Sequence, residues 1–94
     1  PQEVRLLRHL ILLPAGRSAD IQEMDMLLEV EGKSWENQRK IRSKSLANIN
    51  TKAEELLGYR DFIQRLPHPE DKRARLYHIS PEYRNVSPTL LRHL

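Results

Sequence analysis

The sequence predicts a mainly α-helical protein that carries one small β-hairpin. Three observations lead to this fold class. Apolar residues recur at helical spacing over most of residues 4–59. Segment 61–80 instead has two short arms with β-branched and aromatic residues, as strands prefer. The segment between the arms contains Pro67 and Pro69, which cannot donate to a sheet ladder, so this connection is expected to project from the body.

Length and composition limit the classes of protein to consider. A chain of 94 residues with 38% hydrophobic residues is expected to form one small domain over residues 1–94, with its core over residues 20–84. The absence of cysteine excludes disulfides and thiolate metal sites. The apolar run Leu10–Leu13 is too short to cross a bilayer, so no membrane partner is expected.

Two helices are predicted before residue 34. The first spans Val4–Leu13, and its apolar face is wider than one stripe. Either the domain's own core covers this face, or segment 1–16 is a dimerisation helix that packs on a second subunit. The next helix begins after the capping signal Ser18–Asp20, and Gly32 is expected to close it as the first residue beyond its C-cap.

Two further helices are predicted between the second helix and the hairpin. Ser34 offers a cap for a short basic helix, Trp35–Ser43, with Trp35 and Ile41 as its apolar anchors. A turn near residues 44–45 separates it from a helix that starts at Leu46 and ends at Gly58 or Tyr59. The hairpin arms follow as Phe62–Leu66 and Arg75–Ile79, and residues 85–94 begin one more helix.

Catalytic and metal-binding patterns are missing from the sequence. The four histidines lie in separate segments, without the spacing of a ligand pair. Adjacent carboxylates such as Glu54 and Glu55 point about 100° apart on a helix, so they do not form a general acid–base pair. The three glycines lie in different elements and cannot form a phosphate-binding loop. We therefore expect no enzyme activity, no metal and no cofactor.

Two helices followed by a hairpin are typical of a winged helix-turn-helix, whose second helix enters the major groove of DNA. The net charge of the chain is only +3, which is a weak indication of DNA binding. The grouping of the basic residues along the chain fits DNA binding better. Asn48, Asn50, Thr51 and Lys52 are the candidates for base contacts, with capping and turn formation as the alternative role of the asparagines. The candidates for phosphate contacts are Arg39, Lys40, Arg42 and Lys44. On the hairpin, Lys72, Arg73 and Arg75 would reach the adjacent minor groove.

Segment 51–82 resembles the recognition helix and wing of the MarR family of bacterial regulators. Its most specific part is Pro69–Ala74, with the sequence Pro-Glu-Asp-Lys-Arg-Ala, and residues 20–32 resemble the family's preceding helix. The resemblance implies that Arg73 enters the minor groove, that Asp71 orients it, and that N- and C-terminal helices form a dimer. The chain departs from the family pattern at Asp61, where glycine is common.

These observations together predict a sequence-specific, double-stranded DNA-binding transcriptional regulator. We expect a homodimer located in the cytoplasm in association with the nucleoid. The sequence neither excludes nor indicates a small-molecule effector. One alternative is a winged-helix domain of a replication or partition initiator. The other is a winged helix used for protein–protein contact, with a basic surface that is merely solvated.

Overall fold

A computed structural model describes residues 2–14, 16–71 and 74–94, and it confirms a mainly helical fold with a small antiparallel hairpin. The helices are α1 (Gln2–Leu12), α2 (Ile21–Leu27), α3 (Trp35–Leu57) and α4 (Ser87–Leu91). The strands are β1 (Ile63–Pro67) and β2 (Arg75–Ile79), and a 3-10 helix (Pro81–Val86) precedes α4. Within the described part of the chain, no helix combines the length and the apolar character that crossing a membrane requires.

Helix α1 is covered by its own domain. Leu6, Leu7 and Leu10 are fully buried, and α1 packs against α2, α3, α4 and β2. At the N-terminal end of α1, the Arg5 guanidinium donates to Glu29 Oε1 at 2.6 Å, which holds the pKa of that carboxyl below its ordinary value. Most of the wide apolar face is therefore explained within one chain, although Leu12 is 81% exposed, and the homodimer stays a prediction.

Helix α2 begins where the sequence predicts and ends earlier. Asp20 is its N-cap, and one carboxylate oxygen of Asp20 accepts the Glu23 backbone N–H at 2.8 Å. The helix stops at Leu27, and Glu29 adopts the left-handed conformation at φ 58°. The prediction that Gly32 closes this helix is wrong, because the chain turns three residues earlier and so brings Val30 into the core.

Helix α3 is one continuous helix of 23 residues, so the predicted break near residues 44–45 is wrong. Neither proline nor glycine interrupts Trp35–Leu57, and the buried stripe continues through the expected turn as Ser45, Ile49 and Ala53. Ser34 caps the helix by accepting the Asn37 N–H at 3.3 Å. The two helices that precede the hairpin are therefore α2 and α3, joined by residues 28–34.

The C-terminus of α3 depends on Gly58, which is left-handed at φ 71° and donates its N–H to Glu54 O at 3.0 Å. A Cβ at this position would meet no atom within 4 Å, so only backbone strain opposes alanine. We expect Gly58→Ala to lower the free energy of unfolding by about 1 kcal/mol, measured by urea denaturation. Gly32→Ala is the matched control, because Gly32 has no positive φ, and equal losses in the two variants would contradict the assignment.

The hairpin pairs β1 with β2 in antiparallel register, from Ile63 opposite Ile79 to Pro67 opposite Arg75. Pro67 was expected to lie outside the sheet, but it forms the last residue of β1, a strand end on a sheet edge that tolerates a missing N–H. On the other side of β2, Ala19 and Tyr77 exchange both backbone hydrogen bonds at 2.8 Å. Strand β2 therefore pairs with β1 on one side, and at Tyr77 it pairs on the other side with the segment before α2 through an isolated bridge.

Three aromatic rings fix the base of the hairpin. Tyr59 stacks on Tyr83 with ring centroids 4.2 Å apart, and Phe62 packs beside both. Phe62 is fully buried, and its carbonyl accepts the Ser80 N–H at 2.8 Å. The cluster ties the end of α3, the start of β1 and the 3-10 helix together, so the hairpin leaves the body in a defined direction.

Candidate nucleic-acid interface

A groove runs between one side of α3 and the hairpin. Two adjoining depressions share Ser43, Arg65 and Tyr77, and they form what we call the α3–hairpin groove. The side of α3 that lines it recurs at helical spacing as residues 35, 39, 43, 46 and 50. A surface built from a helix and a hairpin held in fixed relation is suited to a rigid, elongated ligand.

The end of the groove near the start of α3 is strongly cationic. Its lining includes four arginines and a single aspartate: Arg39, Arg42, Arg65, Arg75 and Asp25. Arg65 lies two residues from Ile63 and faces the same side of β1, and Arg75 lies two residues from Tyr77 on β2. The hairpin face that is apolar over the core thus becomes basic where it extends beyond the core.

Arg42 is held inside this basic region by Asp25. Its Nη1 donates to both carboxylate oxygens, at 2.8 and 3.0 Å, and each side chain is only 11% exposed. The sequence places Arg42 among the candidates for phosphate contact. In the structure it forms an ion pair that joins α2 to α3 within the lining of the groove, while its contact with phosphate stays a prediction.

The exposed surface of α3 carries the remaining basic candidates of this helix, with Arg39 on the side of the groove and Lys40 and Lys44 outside it. Arg39, Lys40 and Lys44 are exposed in its N-terminal half. Glu54 and Glu55 lie on the same exposed side near the C-terminus, so the charge of the helix changes sign along its length. An anionic ligand would therefore favour the first half of α3 over the second.

The candidates for base contact, residues 48–52, lie in the second half of α3. Asn48 is about 20 Å along the axis from Trp35, and its amide donates to Glu3 Oε1 at 3.1 Å. Lys52 Nζ donates to the His93 carbonyl oxygen at 3.5 Å, and Thr51 is exposed. These contacts link α3 to the two ends of the chain.

Asn50 has a structural role at the start of the hairpin. Its Oδ1 accepts the Ile63 N–H at 2.8 Å, while its Nδ2 donates to the Ile63 carbonyl at 3.3 Å. Ile63 is buried, so its backbone groups have few other partners. The side chain therefore acts as a surrogate strand that clamps β1 to α3.

We expect Asn50→Ala to lower the free energy of unfolding by about 2 kcal/mol, because the Ile63 N–H and carbonyl lose their side-chain partners in a buried position. Urea denaturation measures this loss. Asn48→Ala removes only an exposed contact and should change stability by less than about 0.5 kcal/mol. An Asn50→Ala variant that keeps full stability but loses base preference would instead support the sequence prediction of base contact.

The remaining candidates lie on the hairpin. Arg75 begins β2 and donates from Nη1 to the Ala74 carbonyl at 3.0 Å, and it lines the groove. Asp71 is exposed, and its carbonyl accepts the Ala74 N–H at 3.1 Å. Lys72 and Arg73 lie outside the described residues. The proposed contact of the hairpin tip with the minor groove therefore stays a prediction from the resemblance.

Two residues of the interface are missing from the sequence-based candidates. Arg65 could have been found from the alternation of β1, since it shares a face with Ile63 while being charged. Trp35, expected as an apolar anchor, is 69% exposed at the first position of α3. The exposure of Trp35 depends on how the start of α3 packs in the fold. The local sequence pattern does not encode that packing.

Comparisons with protein-family models, with curated proteins and with solved structures give no match for this chain. The resemblance to MarR regulators therefore stays an expectation from sequence. Within residues 2–14, 16–71 and 74–94, no three histidine or acidic side chains are grouped so that they could hold a metal ion. The best-defined candidate site is therefore the α3–hairpin groove together with the adjoining face of α3.

Proposed function

We propose that this protein binds double-stranded DNA, with α3 in the major groove and the hairpin against the neighbouring backbone. The observation that carries the proposal is the placement of Arg39, Arg65 and Arg75. They come from α3 and from both strands of the hairpin, yet they line one groove. Convergence of cations from separate elements favours a polyanion over a merely solvated face.

The architecture supports the geometry of this docking. In helix-turn-helix proteins the N-terminal part of the second helix contacts base edges, while surrounding groups contact phosphates. Here the first half of α3 is exposed and basic, and Asp25 sits beneath it already paired with Arg42. Lys40 and Lys44 would meet phosphates on one side of the major groove, and Arg65 and Arg75 would meet the backbone that lies in the α3–hairpin groove.

The biological role that fits such binding is transcriptional regulation by a homodimer in the cytoplasm, in association with the nucleoid. Binding, rather than catalysis, is the proposed activity, and it requires no cofactor. A palindromic consensus recovered from a random duplex pool would support a dimer, because operator symmetry mirrors protein symmetry. A single half-site would instead favour a monomeric binder such as an initiator module.

The direct test is a salt titration of binding to a labelled random duplex of about 30 base pairs. We expect measurable affinity at 50 mM salt, with log K falling linearly as log salt rises and a slope of about −4, as four phosphate contacts imply. Single-stranded DNA of the same length is the control for general polyanion binding. It should show a shallower slope and weaker binding.

Absence of duplex binding at 50 mM salt would overturn the proposal. It would favour the alternative in which the winged helix contacts a protein, and the exposed indole of Trp35 would then be the obvious anchor for that contact. Equal affinity for both nucleic acids, with equal slopes, would also contradict a docking mode built on the major groove.

A further inference from the structure

The first turn of α3 presents a large aromatic side chain to solvent on a rigid support. Trp35 is 69% exposed. Its backbone is fixed by the Ser34 cap and by Gln38, whose side-chain amide donates to the Val30 and Glu31 carbonyls at 3.1 and 3.2 Å. An exposed indole on a fixed helix terminus is suited to contact with a partner.

Arg39 lies one turn further along the helix, and its guanidinium sits over this indole. Its Cζ is 5.7 Å from the ring centroid, within the range of a cation–π interaction. This contact limits the rotamers of Arg39. The Arg39 side chain therefore loses less conformational entropy when its guanidinium binds a ligand. In Arg42, by contrast, the guanidinium donates to Asp25 and is nearly buried.

We propose that Arg39, positioned by Trp35, is the specificity-determining side chain that recognises a guanine in the major groove. This inference rests on the proposed function and names the base that the site selects. Guanine presents O6 and N7 together, and a bidentate arginine is the commonest specific contact to this pair. A lysine such as Lys40 is a point charge and suits a phosphate better.

The same geometry assigns a second contact to Trp35. The Arg39 guanidinium covers one face of the indole, but Trp35 is still largely exposed, so a base neighbouring the guanine would face an apolar surface. Thymine offers a C5-methyl group in the major groove, and apolar side chains recognise it there. The selected site is therefore expected to contain a guanine next to a thymine.

The test is selection of bound sites from a random duplex pool with wild type, Arg39→Ala and Arg39→Lys. We expect the wild-type consensus to contain one fixed guanine, which both variants lose while other positions remain. Replacing that guanine by 7-deazaguanine removes the N7 acceptor, and wild type should then bind about 5- to 150-fold more weakly. Arg39→Ala should bind the two duplexes equally.

Two further arms separate the possible failures. Arg39→Lys keeps the charge, so the slope of log K against log salt on random duplex should match that of wild type. If Arg39 contacted only phosphate, Arg39→Lys would also keep the guanine in the consensus, so loss of the guanine at an unchanged slope separates base recognition from phosphate binding. Trp35→Ala should weaken discrimination between thymine and uracil at the neighbouring position. If wild type fails to bind any duplex, the proposed function fails; if it binds but Arg39→Ala keeps the same consensus, or no consensus emerges, only this inference is overturned.

Discussion

Removing both hairpin arginines of the groove, as Arg65→Ala with Arg75→Ala, is expected to lower affinity for random duplex DNA by on the order of 100-fold at 50 mM salt. Each phosphate contact contributes about 0.9 to the slope of log K against log salt. Two lost contacts therefore make the slope shallower by about 1.8, and the curves of variant and wild type should converge near 1 M salt. Fluorescence anisotropy across a salt series measures both quantities.

The matched control is Arg8→Ala with Arg92→Ala. Both residues are exposed, neither lines the groove, and the pair removes the same formal charge. If DNA responds only to net charge, which is +3 in the native chain, the two double variants will lose affinity equally. That outcome would contradict the groove as the binding surface, whereas a loss confined to the hairpin variant supports it.

The sequence predicts the hairpin better than it predicts the helices before it. Strand β2 agrees with its predicted bounds because its alternation is a local signal. The division of α3 into two helices was wrong because the polar run Arg42–Ser45 resembles a turn. Ser45 is in fact buried, and a small side chain there allows close packing without ending the helix.

That single error changes which residues stand at the N-terminus of the helix before the hairpin, while base contact by residues 48–52 stays a prediction. With a helix starting at Leu46, residues 48–52 would occupy the N-terminal turn that faces bases. In the continuous helix that place belongs to Trp35 and Arg39. Local spacing also could not show that Arg42 is neutralised by Asp25, since the two residues are distant in sequence and meet only when α2 packs on α3.

The Asp25–Arg42 ion pair provides the largest stability effect that we expect from one substitution. Asp25→Ala leaves a nearly buried guanidinium without its carboxylate, and breaking such pairs costs about 3–5 kcal/mol. Each of the two side chains is still 11% exposed to solvent. We therefore expect a loss in free energy of unfolding of about 3 kcal/mol, at the lower end of this range. Urea denaturation followed by far-UV circular dichroism measures it.

Two variants determine whether the loss comes from the unpaired charge. Glu31→Ala removes an exposed acid from the same region and should change stability by less than about 0.5 kcal/mol. The double variant Asp25→Leu with Arg42→Met replaces the pair by apolar groups and should recover most of the loss, since well-packed hydrophobic residues substitute for buried pairs at little cost. If the double variant also kept wild-type affinity for duplex DNA, Arg42 would have no part in binding, as its pairing with Asp25 implies. A stability loss in the double variant equal to that of Asp25→Ala would contradict this explanation and indicate that the shape of the aspartate, rather than its charge, supports the junction of α2 and α3.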